Sequence, residues 1–363
     1  PSEATRPLPC DHCAFCEFER VCDAAWRAAD SLVHVAGVRQ TERALLEADG
    51  VDTIAGLAGL DREIAELDPQ RLAFLVRQAS LQVQAREAAP GDPPPYELLE
   101  PDDQADEARD DGASGPADPA RKGFAALPEP DDGDVFLDYE GHPFWKADVG
   151  LFFLLGLIER HDGRWWYRAF WAHDQAEEAA ATGALVDYLT ERSGRFPSMH
   201  VYHYNHTERT ALVRLAADHG VAELELERLV ASGLFVDLFP VVTGAMQVGV
   251  ESYGLKHVER LTGYERSHAI DRGAGAVVEY EHWMGDRDPD RLERIARYNE
   301  DDVRATKAVR DWLVDHRPGD VDWRPSALEP PADEADLDAR IEALHASGSG
   351  TPEHLMGDLL GYW

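Results

Sequence analysis

Over residues 133–318 the sequence predicts an α/β domain: a mixed five-stranded sheet with flanking helices. Short runs rich in β-branched and aromatic residues alternate with longer runs whose apolar residues recur at helical spacing, and Gly, Pro, Asn or Asp punctuate most junctions. Residues 134–139 (DVFLDY) form the first strand. Residues 149–158 and 165–171 form the next two, antiparallel neighbours joined by the turn His161-Asp162-Gly163. A helix follows over 175–192, a fourth strand over 198–203, a helix over 207–219 and a fifth strand over 234–238. Residues 255–261 and 289–316 are helical, the last opened by Pro289 at a first-turn position.

Four further segments frame this domain. Residues 1–27 hold every cysteine, 28–88 read as helical, and 89–132 (PGDPPP, then PDDQADEARDDGASGPADPARK) read as an acidic Pro/Gly-rich linker unable to bury a core. Residues 319–363 form an acidic tail closing on an amphipathic stretch, HLMGDLLGYW. The chain lacks an initiator Met and reads as a piece of something longer. No apolar run is long enough for a membrane span and no apolar leader core follows the first residues. Clustered rather than dispersed cysteines favour a metal site in a reducing cytoplasm over a disulfide framework.

The charge is extreme: 70 acidic against 35 basic residues, net −35. A nucleic-acid enzyme is expected to carry basic surface, so this balance opposes such a function unless the solvent explains it. Lysine occurs only as Lys122, Lys146, Lys256 and Lys307. Acid excess with little lysine fits a halophilic protein, since screening cuts the Debye length to roughly 3 Å at 1 M salt.

Three acidic elements carry candidate chemistry. Asp138 and Glu140 are two apart on a strand and share a face. Such a pair repels unless a cation lies between, and hard oxygen-ligated divalent ions suit it; alone it is equally a solvated strand end. Glu208 stands in the first turn after the fourth strand (VYHYNHTE), where an acid also simply favours a helix N-terminus. Tyr298 and Asp302 are four apart on a helix and project together, which any acidic amphipathic helix would also do. The ordered set is more specific than its parts.

That set resembles the DEDDy plan of DnaQ-like, RNase H-like 3′→5′ exonucleases. The stretches GDVFLDYEGHPF, VYHYNHTERTAL, FVDLFPVV, SYGLKHVERLTGY and YNEDDVRAT resemble the YprB-type domain found in RecB-like nucleases, over about residues 133–318. The resemblance implies two Mg²⁺ or Mn²⁺ ions. Asp138 would bridge them, Glu140 and Asp302 would hold the nucleophile-side ion, and Tyr298 would position water. Glu208 stands where the family usually has Asp, one methylene shorter. Arg297, five before Asp302, excludes the His-containing variant. Asp237 reads either as a residue behind the ligands or as a strand-end cap.

Cys10, Cys13, Cys16 and Cys22 resemble the clasp of iron–sulfur RecB-like nucleases and imply a [4Fe–4S] cluster, with Zn²⁺ as the alternative. Residues 35–60 resemble helix-hairpin-helix segments, with Gly37 and Gly50 at turns and Arg39 and Arg43 as the basic residues; a helical spacer fits equally. The expected function is exonucleolytic hydrolysis of single-stranded ends, DNA favoured over RNA, with a helicase in cis or in trans as partner. A non-catalytic nucleic-acid-binding scaffold and an RNA-processing ribonuclease are the alternatives.

Overall fold

The computed structural model describes residues 7–10, 12–13, 16–89, 91–99, 122–147, 149–267, 273–325, 332–346, 348 and 351–360. The N-terminal part is helical: α1 (Glu19–Ala28), α2 (Gln40–Ala48), α3 (Ile54–Ala58) and α4 (Pro69–Glu87). Leu32, Leu46, Ile54, Leu57, Leu72 and Leu75 make its core. Thr53 and Asp68 cap α3 and α4 through side-chain acceptors for the Gly56 and Arg71 amides.

Five strands form the main sheet: β2 (Val135–Lys146), β3 (Val149–His161), β4 (Arg164–Trp171), β5 (Val201–His203) and β6 (Phe235–Asp237), in the order β4-β3-β2-β5-β6. β2 pairs antiparallel with β3 and parallel with β5, and β5 pairs parallel with β6. The sheet is therefore mixed, as the sequence predicts. The β3–β4 turn places both Asp162 and Gly163 at positive φ, which the primed hairpin turns require. β2 runs seven residues further than expected because two register shifts, after Glu140 and after His142, carry the pairing past Pro143.

One face of the sheet packs Val135, Leu137 and Tyr139 against α5 (Gln175–Arg195), α6 (Thr207–His219) and α7 (Glu223–Ala231). The other packs Phe136, Ile158, Tyr202 and Val236 against α8 (Leu238–Ala245) and α11 (Pro289–His316). Helix α11 starts on a side-chain cap from Asp288 followed by Pro289. Strand alternation puts the even-numbered residues of β2 on the α11 side. α10 (Gly273–Asp286) packs Tyr280 and Trp283 with Phe153, Ile295 and Tyr298. α9 (Leu255–Val258) leads into a 3-10 turn, Glu259–Leu261.

Part of the predicted linker is ordered. Within it β1 (Tyr96–Leu98) pairs antiparallel with β7 (Met246–Val248), and Phe124 and Leu127 are buried in the domain core. Residues 100–121 lie outside the described residues. The β1–β7 ladder docks the N-terminal helices: Gln78 Nε2 donates to Val248 O at 2.7 Å, and Gln247 Nε2 donates to Phe74 O at 2.9 Å. The tail forms a hairpin of α12 (Ala332–His345) and α13 (Pro352–Leu360); residues 361–363 of the predicted closing stretch lie outside the described residues. Among the described residues no helix is long and apolar enough to cross a membrane.

Candidate active site

Asp138, Glu140 and Asp302 converge where β2 passes α11. One carboxylate oxygen from each lies within 4.8 Å of the other two. Asp138 and Glu140 arrive by alternation along β2, and Asp302 arrives from the facing turn of α11. Burial raises the Asp138 carboxyl well above the ordinary carboxylate range, and the charges of Asp302, Glu140 and Glu208 push it the same way. Glu140 is raised well above its ordinary value by burial and by Asp302. Asp302 is raised by burial, against the pull of Arg266. Asp138 and Glu140 are thus raised by neighbouring acids as well as by burial, and the cluster's nearest positive charges, Arg266 and Lys256, offset this only in part.

Neutral residues hold the arrangement in place. Asn299, fully buried one turn before Asp302, donates from Nδ2 to Asp138 Oδ2 at 2.8 Å. Its Oδ1 accepts from Tyr167 Oη on β4 at 2.9 Å. Gly156, opposite Asp138 in the β2–β3 register, makes room for this chain. A Cβ there would overlap Asn299 Oδ1 and stand 2.8 Å from the Tyr167 oxygen.

Tyr298 is buried on the same helix. Burial, then Asp302, Glu140 and Asp138, drive its phenol far above the ordinary value, so its hydroxyl stays protonated and able to donate. Lys256 Nζ sits 5.0 Å from its ring centroid. Arg266 pairs with Asp302 at 2.6 Å and, through Nε and Nη2, with Glu259 at 2.7 Å each.

Glu208 lies outside the 4.8 Å cluster, yet it is close enough to raise Asp138. It is buried in the first turn of α6, and its Oε2 lies 3.5 Å from His203 Nδ1. That oxygen has no hydrogen-bond partner among the described residues. An orphaned buried carboxylate oxygen beside three mutually repelling carboxylates fits a site for hard divalent cations. Asp237, by contrast, is a cap: its Oδ1 accepts from the amides of Phe239 (2.9 Å) and Asn205 (2.8 Å).

The other predicted residues are placed differently. The Cys10 and Cys13 sulfurs are 3.9 Å apart, and among the described residues no three of the cysteines meet within 4.8 Å. Gly37 and Gly50 take positive φ. Gly37 O accepts from Arg71 Nη2 at 2.6 Å. Arg43 is buried, with Nε 3.5 Å from Glu47. Arg39 is the basic side chain this turn exposes.

Asn299, Tyr167, Gly156, Arg266 and Lys256 were not singled out from the sequence. The one available signal was composition: Lys256 is a rare lysine in an acidic chain.

Residues 135–314 match the family model of the RNase_H superfamily, RNase_H_2. The matched span begins with β2, ends in α11 and contains every carboxylate of the cluster. Searches of curated proteins and of solved structures gave no match. The mixed five-stranded sheet with flanking helices agrees with an RNase H-like fold, and the match indicates a nuclease-type phosphodiesterase.

Proposed function

We propose that the RNase H-like domain is a two-metal-ion 3′→5′ exonuclease acting on single-stranded nucleic-acid ends, DNA before RNA. The observation that carries this reading is the meeting of Asp138, Glu140 and Asp302 within 4.8 Å, all three raised by burial or by one another. Asp138, Glu140 and Asp302, with Glu208 behind them, would hold Mg²⁺ or Mn²⁺. A bound pair supplies charge neutralisation at the phosphate and lowers the pKa of the attacking water.

The chain's own residues supply position. Asn299 fixes the Asp138 carboxylate through Oδ2, and Tyr167 fixes Asn299 in turn. The Tyr298 hydroxyl, held neutral, orients water by donating or accepting a hydrogen bond. Single strands are favoured by the hairpin that continues β2 beyond the carboxylates. Phe144 there is 72% exposed, and Lys146 Nζ covers the ring of Trp145 at 3.9 Å. An exposed aromatic beside a cation suits an unstacked base and its phosphate.

Arg266 supports a second reading. Its guanidinium on Asp302 partly neutralises the cluster without any ion, as a non-catalytic scaffold would require. An assay on end-labelled single-stranded DNA and RNA separates the two. With Mg²⁺ or Mn²⁺ in high KCl, nucleotides should be released from the 3′ end by the native chain and not by Asp138→Asn. Equal product from both chains, or none from the native one, would overturn the exonuclease.

A further inference from the structure

We infer that the C-terminal helical hairpin carries a transition-metal site made of His345, His354 and Asp358, independent of the carboxylate cluster. His345 ends α12, while His354 and Asp358 lie four apart on α13 and so share a face. One ligand atom from each lies within 4.8 Å of the other two. His345 Nε2 is 3.0 Å from Asp358 Oδ1. The two imidazole rings lie 4.4 Å apart, tilted by 38°.

Two details argue for a built site. Gly357, buried between the helices, is where the His345 ring lodges: a Cβ there would come within 2.6 Å of Cδ2 and 2.7 Å of Nε2. In addition, His354 Nδ1 is buried without a hydrogen-bond partner among the described residues. A carboxylate hydrogen bond accounts for His345 alone and leaves His354 unexplained.

Two imidazole nitrogens and one carboxylate oxygen suit Zn²⁺, with water as a fourth ligand, rather than Mg²⁺ or Ca²⁺, which prefer all-oxygen shells. The ion would cross-link α12 to α13 and couple the order of the hairpin to metal binding.

Zinc titration against a chromogenic chelator tests this on the full chain. Two competing sites are silenced first: Cys10, Cys13, Cys16 and Cys22 are changed to Ser, and excess Mg²⁺ fills the carboxylate cluster. This parent should bind one zinc, and amide-exchange protection across 345–358 should rise when it does. His354→Ala and Asp358→Asn should each weaken binding about 100-fold, since even indirect partners of a metal ligand are worth about 10–100-fold in affinity. Gly357→Ala, which keeps all three ligands but displaces His345, should lose at least 10-fold. A parent that binds no zinc overturns the site, as does undiminished binding in both ligand variants. Either outcome is read without a nuclease assay, so it stands apart from the fate of the exonuclease proposal.

Discussion

Strand β2 and helix α11 meet at two places whose chemistry is opposite. Where the chain enters β2, Asp134 is fully buried and accepts from Arg310 Nη1 at 2.6 Å and from the amides of Asp131 and His200 at 2.9 Å each. Burial raises this carboxyl, while Arg310 and the two amides work against the rise. The Arg310 guanidinium also covers the rings of Phe136 and Tyr202 at 4.8 Å each. Four residues further along β2, Asp138 has a neutral amide as its hydrogen-bond donor from the same helix and faces three acids. One meeting point is satisfied and holds the fold together. The other is left short of positive charge, which costs stability and prepares a place for cations.

The sharpest way to break that comparison is to neutralise each end. Asp138→Asn should lower nuclease activity by about 1,000-fold or more, the scale of losing a preorganised charge contact in a transition state. The same change should raise the melting temperature of the metal-free protein. A carboxyl whose value is raised in the fold contributes stability below its unfolded value and loses it as pH rises through the raised one. The stabilisation by Asn should therefore grow from mildly acidic to neutral pH; scanning calorimetry of EDTA-treated protein checks both sign and trend. Arg310→Met should do the reverse. It leaves Asp134 buried without its cation and should cost about 3–5 kcal/mol in chemical denaturation. If Asp138→Asn destabilised the metal-free chain as Arg310→Met does, the contrast would be false.

Divalent ions offer the next test. Mn²⁺ at 100 times its dissociation constant should stabilise the native chain by about 2.7 kcal/mol, and Asp138→Asn should abolish most of that gain. A gain that Asp138→Asn leaves intact would place the ion elsewhere.

Of these two ends, the sequence made the acidic one legible and the paired one not. Asp138 and Glu140 could be put on one face from alternation alone, and the helix expected over 289–316 is α11 with the same bounds. The fifth strand expected over 234–238 ends one residue early, because Asp237 caps the Phe239 amide and starts α8 at Leu238. The paired residues of β1 and β7 are 148 to 152 positions apart, from Leu98 with Met246 to Tyr96 with Val248, so no local pattern could pair them. Arg266 and Asn299 have meaning only through the distances that folding sets. Glu208 could be put in the first turn of α6 from the sequence, but its distance from the three carboxylates is set only by folding.

Gly156 gives the smallest effect and the most selective test. In the sequence it is a small residue inside an apolar strand, with nothing to mark it. In the fold it lies across from Asp138, and its missing side chain is what lets Asn299 reach both Tyr167 and the carboxylate. A methyl group placed there must displace the Asn299 amide. Gly156→Ala should cost about 1–3 kcal/mol as an overpacking change. It should also lower kcat by about 10- to 100-fold while KM changes less, because the Asp138 carboxylate would lose its orientation and not its charge. Tyr167→Phe removes only the donor to Asn299 and leaves the space free, so it should show a weaker version of the same kcat effect. If Gly156→Ala weakened stability while leaving kcat untouched, Asn299 would be a packing residue, and the neutral contact to Asp138 would belong with Asp134 and Arg310 on the structural side of the comparison.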